Sequence, residues 1–542
     1  MVSKTEKRWI LGFALVVMLF TSLPYLLGFA AQGDAWQFSG FVFGVEDGNS
    51  YLGKMLRGSA GEWLFRTPYS AIPQSGALIF VPYLLLGKLV APPDSHAQLV
   101  SLFHLFRFGA GILAILATYD FLAVFCTAIW ARRAGVILSV LGGGLGWLMM
   151  LAGKKDWLGS LPLEFYSPES FGFLGVFGVP HLALARALLL WTLVWYLRIS
   201  FSKERASGKS ITLLGLMWLF TSLVQPLTGM VIGFVLGVYL VALAGWQVWR
   251  KSNGESADWA KWRGMLRIAC FAAIIPGSYL LYNLLSFRID PYLRNWTLQN
   301  KVLSPHPLHY LLAYGITLPL IFIGAKWLLK KDAWRGWMVV AWVASLPILA
   351  YAPFTLQRRL PEGIWVAMIA LVMVAIEQLH ISKRARLILV SGVLVVLCLS
   401  TLIIWIGSLQ AALKPGSPLF IPRDQARIFE YLESHAGKDQ VVLAGYETGN
   451  VLPAWSPQFV VIGHGPESVH FADISRRVAD FFNEGSTEEN RLSFLEDLSV
   501  DFVVWGPEER ELGNWIPGQA RYLKKVFEQG EYALFEVIPF DD

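Results

Sequence analysis

Glu46 and Asp47 are adjacent carboxylates at the start of a stretch in which Tyr51, Leu52, Met55 and Leu56 recur at helical spacing, with Lys54 and Arg57 between them. That spacing predicts an amphipathic surface helix, its apolar side toward lipid and Lys54 and Arg57 toward water. An acid at the mouth of such a helix, ionised yet set against an apolar wall, can act as a general base or bind a cation. Asp is also a good helix cap, so Asp47 carries both readings.

A second polar group comprises Asp156, the run Glu164-Phe165-Tyr166-Ser167-Pro168-Glu169, and His181 after Pro180. Two carboxylates five residues apart with a histidine nearby are the usual oxygen and nitrogen ligands of a divalent metal, although the spacing matches no tight motif. His181 equally reads as a histidine at a span end, bonded to a backbone carbonyl. A third group runs from Arg288 to His306 and includes Trp296, Gln299 and Asn300. Aromatic faces contact the CH groups of a sugar while amides bond its hydroxyls; an interfacial aromatic belt has the same composition. Asn295-Trp296-Thr297 is also a formal glycosylation sequon.

Arg358 and Arg359 precede Pro361-Glu362. Guanidinium forks pair bidentately with phosphate, so a lipid phosphate is a natural partner, and snorkelling to ordinary headgroups is the alternative. Arg107 and Arg186, a few residues inside apolar runs, can hold the same phosphate or pair with loop carboxylates. Asp120 and Glu377 read as bonds between neighbouring helices.

The elements that must position these groups are set by composition. Of 542 residues, 55% are hydrophobic and 15% charged, against about a quarter charged in soluble proteins. A mean hydropathy of +0.50 excludes a soluble enzyme, a disordered protein and a coiled coil. Apolar runs of bilayer length recur, and we expect about eleven spans: 9–29, 98–130, 134–153, 179–200, 211–224, 228–249, 263–286, 307–329, 336–354, 362–379 and 387–409. The basic clusters (Arg132/Arg133, Lys203–Lys209, Arg250–Arg263, Lys330/Lys331 and Lys383–Arg386) fall on one side with Lys4, Lys7 and Arg8 only if 72–90 does not cross. The positive-inside rule therefore makes 72–90 a re-entrant or surface segment and the N-terminus cytoplasmic. Loops 30–97, 154–178, 287–306 and 358–363 then lie outside. The first apolar run is longer than a signal-peptide core, so it is read as an uncleaved span.

From Gly416 onward the chain holds 10 Lys and Arg against 22 Asp and Glu, while the remainder holds 35 and 17. An acidic tail after a basic membrane body means two domains in two solvents, with boundaries 1–414 and 415–542. Cytoplasmic loops account for the basic excess, so no nucleic-acid partner is needed. The tail contains no cysteine, which excludes a disulfide framework. Its β-rich runs (441–446, 459–463, 502–505, 532–538) alternate with helical patterns (423–434, 474–482), which predicts a C-terminal α/β domain outside the cytoplasm. In Gly463-His464-Gly465-Pro466-Glu467-Ser468, His464 and Glu467 can gate an acceptor or simply form a turn.

Order and topology together resemble the GT-C superfamily of integral membrane glycosyltransferases. The shared pattern is one span, a long outer loop with an early acid, a surface helix, a span beginning around Leu105-Phe106-Arg107-Phe108, a second acidic loop, further spans and an outer globular tail. The layout is similar to that of protein O-mannosyltransferases and aminoarabinose transferases. The dyad Glu46-Asp47 reverses the mannosyltransferase order, and neither an Asp-x-Asp pair in the outer loops nor a Trp-Trp-Asp motif is present.

The resemblance implies a bacterial cell-envelope enzyme of the cytoplasmic membrane, acting at its outer face on a polyprenyl-phosphate sugar donor and a glycan, lipid or protein acceptor. It assigns Asp47, with Glu46 beside it, as the base that deprotonates the acceptor hydroxyl. Glu169 or Glu164 becomes the second-loop acid, and Arg358 or Arg359 the phosphate ligand. Arg107, Lys54, His181, Trp296, Gln299 and Asn300 join the substrate-binding set. A divalent cation, Mg2+ or Mn2+, would sit on Asp47 and Glu169. The rival reading is a transporter or flippase for a lipid-linked or small polar substrate, kept open by the Pro226 interruption and the Gly142-Gly143-Gly144 run. A membrane scaffold displaying the acidic tail is the third.

Overall fold

A computed structural model describes residues 2–538. Among them, eight helical segments are long and apolar enough to cross a membrane: Lys4–Ala31, Ser95–Phe125, Pro180–Ser200, Pro226–Ser252, Trp259–Ile289, Pro307–Ala350, Gln357–Gln378 and Lys383–Ala412. The chain is a multi-pass membrane protein.

The expected spans beyond these eight take other local forms. Segment 307–329 and most of 336–354 lie in one 44-residue stretch, Pro307–Ala350, broken at Asp332 by a non-helical φ of −150°. Segment 211–224 is the 17-residue helix Gly208–Val224. It folds back on Pro226–Ser252, where Trp218 Nε1 donates to the Gly229 carbonyl at 2.7 Å. Pro226 thus starts a helix, where its missing N–H costs nothing, and interrupts none. Segment 134–153 is divided into Ile129–Leu141 and Gly146–Leu151. Between them Gly143 N–H donates to the Leu397 carbonyl at 2.7 Å and Leu145 N–H to that of Leu312 at 3.2 Å. The glycine run is therefore a tie between helices. The stretch 72–90 holds one seven-residue helix, Val81–Gly87, far too short to span.

The chain forms two compact units. The first comprises Met1–Ser22, Phe106–Leu284 and Val302–Gly407. Its core surrounds Ile364–Gln378, in which every residue from Ile364 to Ile376 is buried, as expected of a helix apolar on all sides. Helix Leu318–Ala344 approaches it through Gly324, where a Cβ would lie 2.0 Å from the Leu371 carbonyl oxygen. Interior charges are paired: Arg132 with Glu6 at 2.8 Å and Arg186 with Glu362 at 2.5 Å. Asp120 accepts from Trp191 Nε1 at 2.9 Å, and Glu377 from the Thr127 hydroxyl at 3.1 Å.

The second unit comprises Leu23–Leu105, Leu285–Lys301 and Ser408–Asp542. Strand β1 (Trp36–Phe38) pairs antiparallel with β2 (Phe420–Pro422). The five-stranded sheet has β3 (Val441–Leu443), β4 (Phe459–Val460), β5 (Phe502–Trp505), β6 (Leu523–Gln529) and β7 (Tyr532–Val537) in the order β4-β3-β5-β7-β6. β3 runs parallel to β4 and β5, and β7 antiparallel to β5 and β6. Helices Arg423–His435, Phe471–Phe482 and Glu488–Asp497 accompany it. The sequence patterns foresee all of these strands in the tail except β2 and β6. β6 escapes because it is an edge strand whose Lys524, Lys525 and Glu528 are exposed, the charged dress by which edges avoid further pairing.

Candidate functional site

Helix Val45–Ser59 positions the acidic dyad. Glu46 and Asp47 lie in its first turn and Arg57 in its last, the arrangement the helix dipole favours. Gly44 occupies the N-cap with no side-chain cap, so Asp47 is not the capping residue. The helix seats against Val81–Gly87 backbone to backbone. A Cβ on Gly58 would lie 2.2 Å from the Leu84 carbonyl oxygen, and one on Gly87 1.6 Å from that of Met55.

That close seating corrects the expected surface helix. Lys54 and Arg57 do not face water. Lys54 is 1% exposed and lies 2.6 Å from Glu467 Oε1, and it also donates to Ser50 Oγ. Arg57 is buried against the Phe459 ring, pairs with Glu62, and donates to the Lys438 and Pro457 carbonyls at 2.7 and 2.6 Å. Arg66 joins Glu62 at 2.5 Å and Asp439 at 2.9 Å. Burial would raise the Asp439 carboxyl, but the hydrogen bonds and charges of Arg66 and Arg57 hold it below its ordinary value. A buried cation must be paired, and folding brings the partners from residues far away in sequence.

Around Asp47 the second unit gathers the loop 463–468. The Asp47 side chain is 64% exposed, and its Oδ1 lies 3.4 Å from Nε2 of His464, which is 8% exposed. Buried Glu467 accepts from Ser50 Oγ at 2.8 Å and Thr67 Oγ1 at 2.6 Å in addition to Lys54. Burial pushes its carboxyl up, yet the Lys54 ammonium, the neighbouring His464 and these hydrogen bonds bring it below the usual carboxylate range. Glu46 accepts from the Tyr446 hydroxyl; burial and that bond raise the phenol well above its ordinary value. Trp296 stacks on Phe80 and packs at a tilt against Phe65, Phe287 and Tyr292. Gln299 donates to the Ser468 carbonyl at 2.9 Å and accepts from Phe471 N–H at 2.9 Å. Asn300 closes the helix Pro291–Gln299. Trp296 and Gln299 thus support the 463–471 segment.

The first unit gathers the other candidates. Arg359 Nε lies 3.6 Å from Glu169 Oε1, and the Arg358 guanidinium sits 4.4 Å from the Tyr166 ring centroid. The Nε atoms of both arginines are buried without a hydrogen-bond partner. Arg186 bonds Glu362 and donates to the Phe171 and Pro168 carbonyls at 2.8 and 2.6 Å, fixing the loop that carries Glu169. His181 is buried in the first turn of the same helix. Glu164 is buried and accepts from Gly146 N–H at 2.7 Å, and burial raises its carboxyl. Arg107 donates to the Thr21 and Ser22 hydroxyls at 3.1 and 2.7 Å, joining two helices of this unit.

The structure thus brings Asp47, Glu46 and Lys54 together in one unit, and Glu169, Arg358 and Arg359 in the other. Among the described residues no three His, Cys, Asp or Glu side chains gather as a metal-ligand set. Glu169 is engaged by Arg359 and by Ser167 Oγ at 3.5 Å. Asp47 and Glu169, the expected cation ligands, are paired separately, Asp47 with His464 and Glu169 with Arg359. Tyr446 and Thr67 escape sequence reasoning, because nothing local marks a hydroxyl whose partner lies 400 residues away.

Comparison with protein-family models returned no match, and comparison with curated proteins returned none. Solved structures do match. The arabinofuranosyltransferase AftD from Mycobacteria superposes with a TM-score of 0.59 at 13% identity, covering 97% of this chain and 40% of AftD. The apo oligosaccharyltransferase of Archaeoglobus fulgidus matches with a TM-score of 0.55 at 11% identity, over 93% of this chain and 70% of that one. The archaeal oligosaccharyltransferase AglB in complex with an inhibitory peptide and a dolichol-phosphate gives 0.53 at 11% identity, with the same coverage. These neighbours are membrane glycosyltransferases of the GT-C superfamily, and the fold they share is the fold of this chain.

Proposed function

We propose that the protein is a membrane glycosyltransferase that moves a sugar from a polyprenyl-phosphate donor to an acceptor hydroxyl at the outer face of the cytoplasmic membrane. The observation that carries this reading is Asp47. It is a 64% exposed carboxylate on a helix whose Lys54 and Arg57 are buried in ion pairs. The fold supports it: one structural neighbour is an arabinofuranosyltransferase, and another holds a dolichol-phosphate.

A sugar on a lipid phosphate already has a good leaving group, so the protein must supply position, a base and phosphate stabilisation. Asp47 takes the acceptor proton as the acceptor oxygen bonds the anomeric carbon. The carbon–oxygen bond to phosphate breaks with its electron pair, and configuration inverts. Arg358 and Arg359 hold the phosphate whose charge grows, through guanidinium donors suited to phosphate oxygens. Lys54, Arg107 and Arg186 instead hold the scaffold. On this reading the C-terminal domain, 415–542, and the first loop share the outer side, and the N-terminus is cytoplasmic.

The test is direct. The purified protein in lipid nanodiscs is incubated with a panel of polyprenyl-phosphate sugars, and released polyprenyl phosphate is measured by mass spectrometry. Slow release from one donor, accelerated by the correct acceptor, is expected. No release and no saturable binding of any donor would overturn the reading in favour of transport.

A further inference from the structure

We propose that His464 is a positioning residue for Asp47, its Nε2–H fixing the plane of the carboxylate that receives the acceptor proton. The inference rests on the glycosyltransferase reading and goes beyond it by naming the group that orients the base. Nε2 lies 3.4 Å from Asp47 Oδ1, while Nδ1 is buried without a hydrogen-bond partner and stands 3.7 Å from Glu467 Oε1. Both ring nitrogens face carboxylates, and a carboxylate oxygen only accepts, so the Nε2 that faces Asp47 Oδ1 is a donor toward it.

The imidazole is itself held from several sides. The Tyr69 ring packs on it at 5.5 Å between centroids. The N–H groups of Gly463 and His464 both donate to Ser468 Oγ, at 3.2 and 3.3 Å. Glu467 beneath it is immobilised by Lys54, Ser50 and Thr67, and the Tyr292 hydroxyl reaches the Glu467 carbonyl at 3.3 Å. An exposed carboxylate rotates freely and loses catalytic geometry. One bonded to a buried, braced donor keeps it, and small misplacements cost rate steeply. In the reaction the acceptor O–H proton passes to Asp47 and the leaving phosphate takes the electron pair of the broken bond. His464 neither gains nor loses a proton.

The experiment uses the full chain in nanodiscs and has two arms. In donor turnover, His464→Ala is expected to lower kcat at least 30-fold with donor KM within twofold. His464→Gln, whose amide can donate from a similar place, is expected to recover at least fivefold over His464→Ala. Turnover of His464→Ala within threefold of wild type, or no advantage of Gln over Ala, overturns the proposal. The second arm needs no activity: with 15N-labelled histidine rings at one fixed pH, Asp47→Asn is expected to move the His464 Nε2 resonance, identified by its loss in His464→Gln. An unmoved resonance also overturns the proposal. A moved resonance in a protein whose wild type turns over no donor upholds the contact and counts against the glycosyltransferase reading alone.

Discussion

The two units treat charge differently. In the first, buried charges sit in small separate groups, as Glu6 with Arg132 and Tyr119, and Arg186 with Glu362 and two carbonyls. In the second, charges run in chains: Asp47, His464, Glu467 and Lys54 form one, and Arg57, Glu62, Arg66 and Asp439 another. Helices satisfy their own backbones and offer few spare donors, so a charge among them is tied off locally. Loops crossing a sheet edge bring hydroxyls, amides and carbonyls from many places, so several charges share one network. The second unit can therefore hold one acid exposed while its neighbours stay fixed.

The sharpest way to break this comparison is at Asp47. Asp47→Asn is expected to lower donor turnover by roughly 10²–10⁴, the range of a general base, with an unchanged elution profile and circular dichroism. Activity equal to wild type would make the second unit's exposed acid ornamental.

Glu467→Gln tests the network itself. Removing one partner strands the Lys54 ammonium and is expected to cost about 3–5 kcal/mol, read as loss of hydrogen-exchange protection in β3 and β4. Glu362→Gln strands Arg186 at a similar cost. The comparison predicts different rescues: Arg186→Met restores most of the loss from Glu362→Gln, whereas Lys54→Met restores less of that from Glu467→Gln because His464, Ser50 and Thr67 still face the site.

Glu509 is a smaller effect with a definite sign. Burial, then the neighbouring Glu508, raise its carboxyl to about 7, although Gly445 N–H donates to it. The folded state therefore prefers the protonated acid, and its contribution is whole below the unfolded value near 4.5 and fades as pH rises through about 7. Glu509→Gln is expected to flatten a stability slope on the order of 3 kcal/mol across that window, measured by hydrogen exchange of β5 at stepped pH. A wild-type profile flat over the same window contradicts this.

Arg358→Ala has the least effect expected. It should raise donor KM about tenfold, roughly 1.4 kcal/mol, and leave protection in the Ile364–Gln378 helix unchanged. A fall in kcat at constant KM would confine Arg358 to the growing charge of the departing phosphate and remove it from donor binding.

The fold was legible in the long apolar runs and in the tail's alternating strands and helices, because length and period report directly on burial. The candidate site was legible only in part. Asp47 stands out as one of two adjacent carboxylates opening a helical stretch, and the Arg358-Arg359 pair as charge at a span end. Lys54 was misread: its helical spacing is that of an amphipathic surface helix, and nothing nearby in sequence announces Glu467, 413 residues on. Trp296 and Gln299 have the chemistry of a sugar platform; in the fold Trp296 stacks on Phe80 and Gln299 bonds the Ser468 carbonyl.

By itself the sequence determined that the chain is a multi-pass membrane protein with an acidic, cysteine-free α/β tail, since hydropathy, charge balance and composition are additive along the chain. Only the tertiary structure decided that Lys54 and Arg57 are buried and that His464 meets Asp47. Pairings between residues some 400 positions apart are set by the closing of the fold, and no local pattern encodes them.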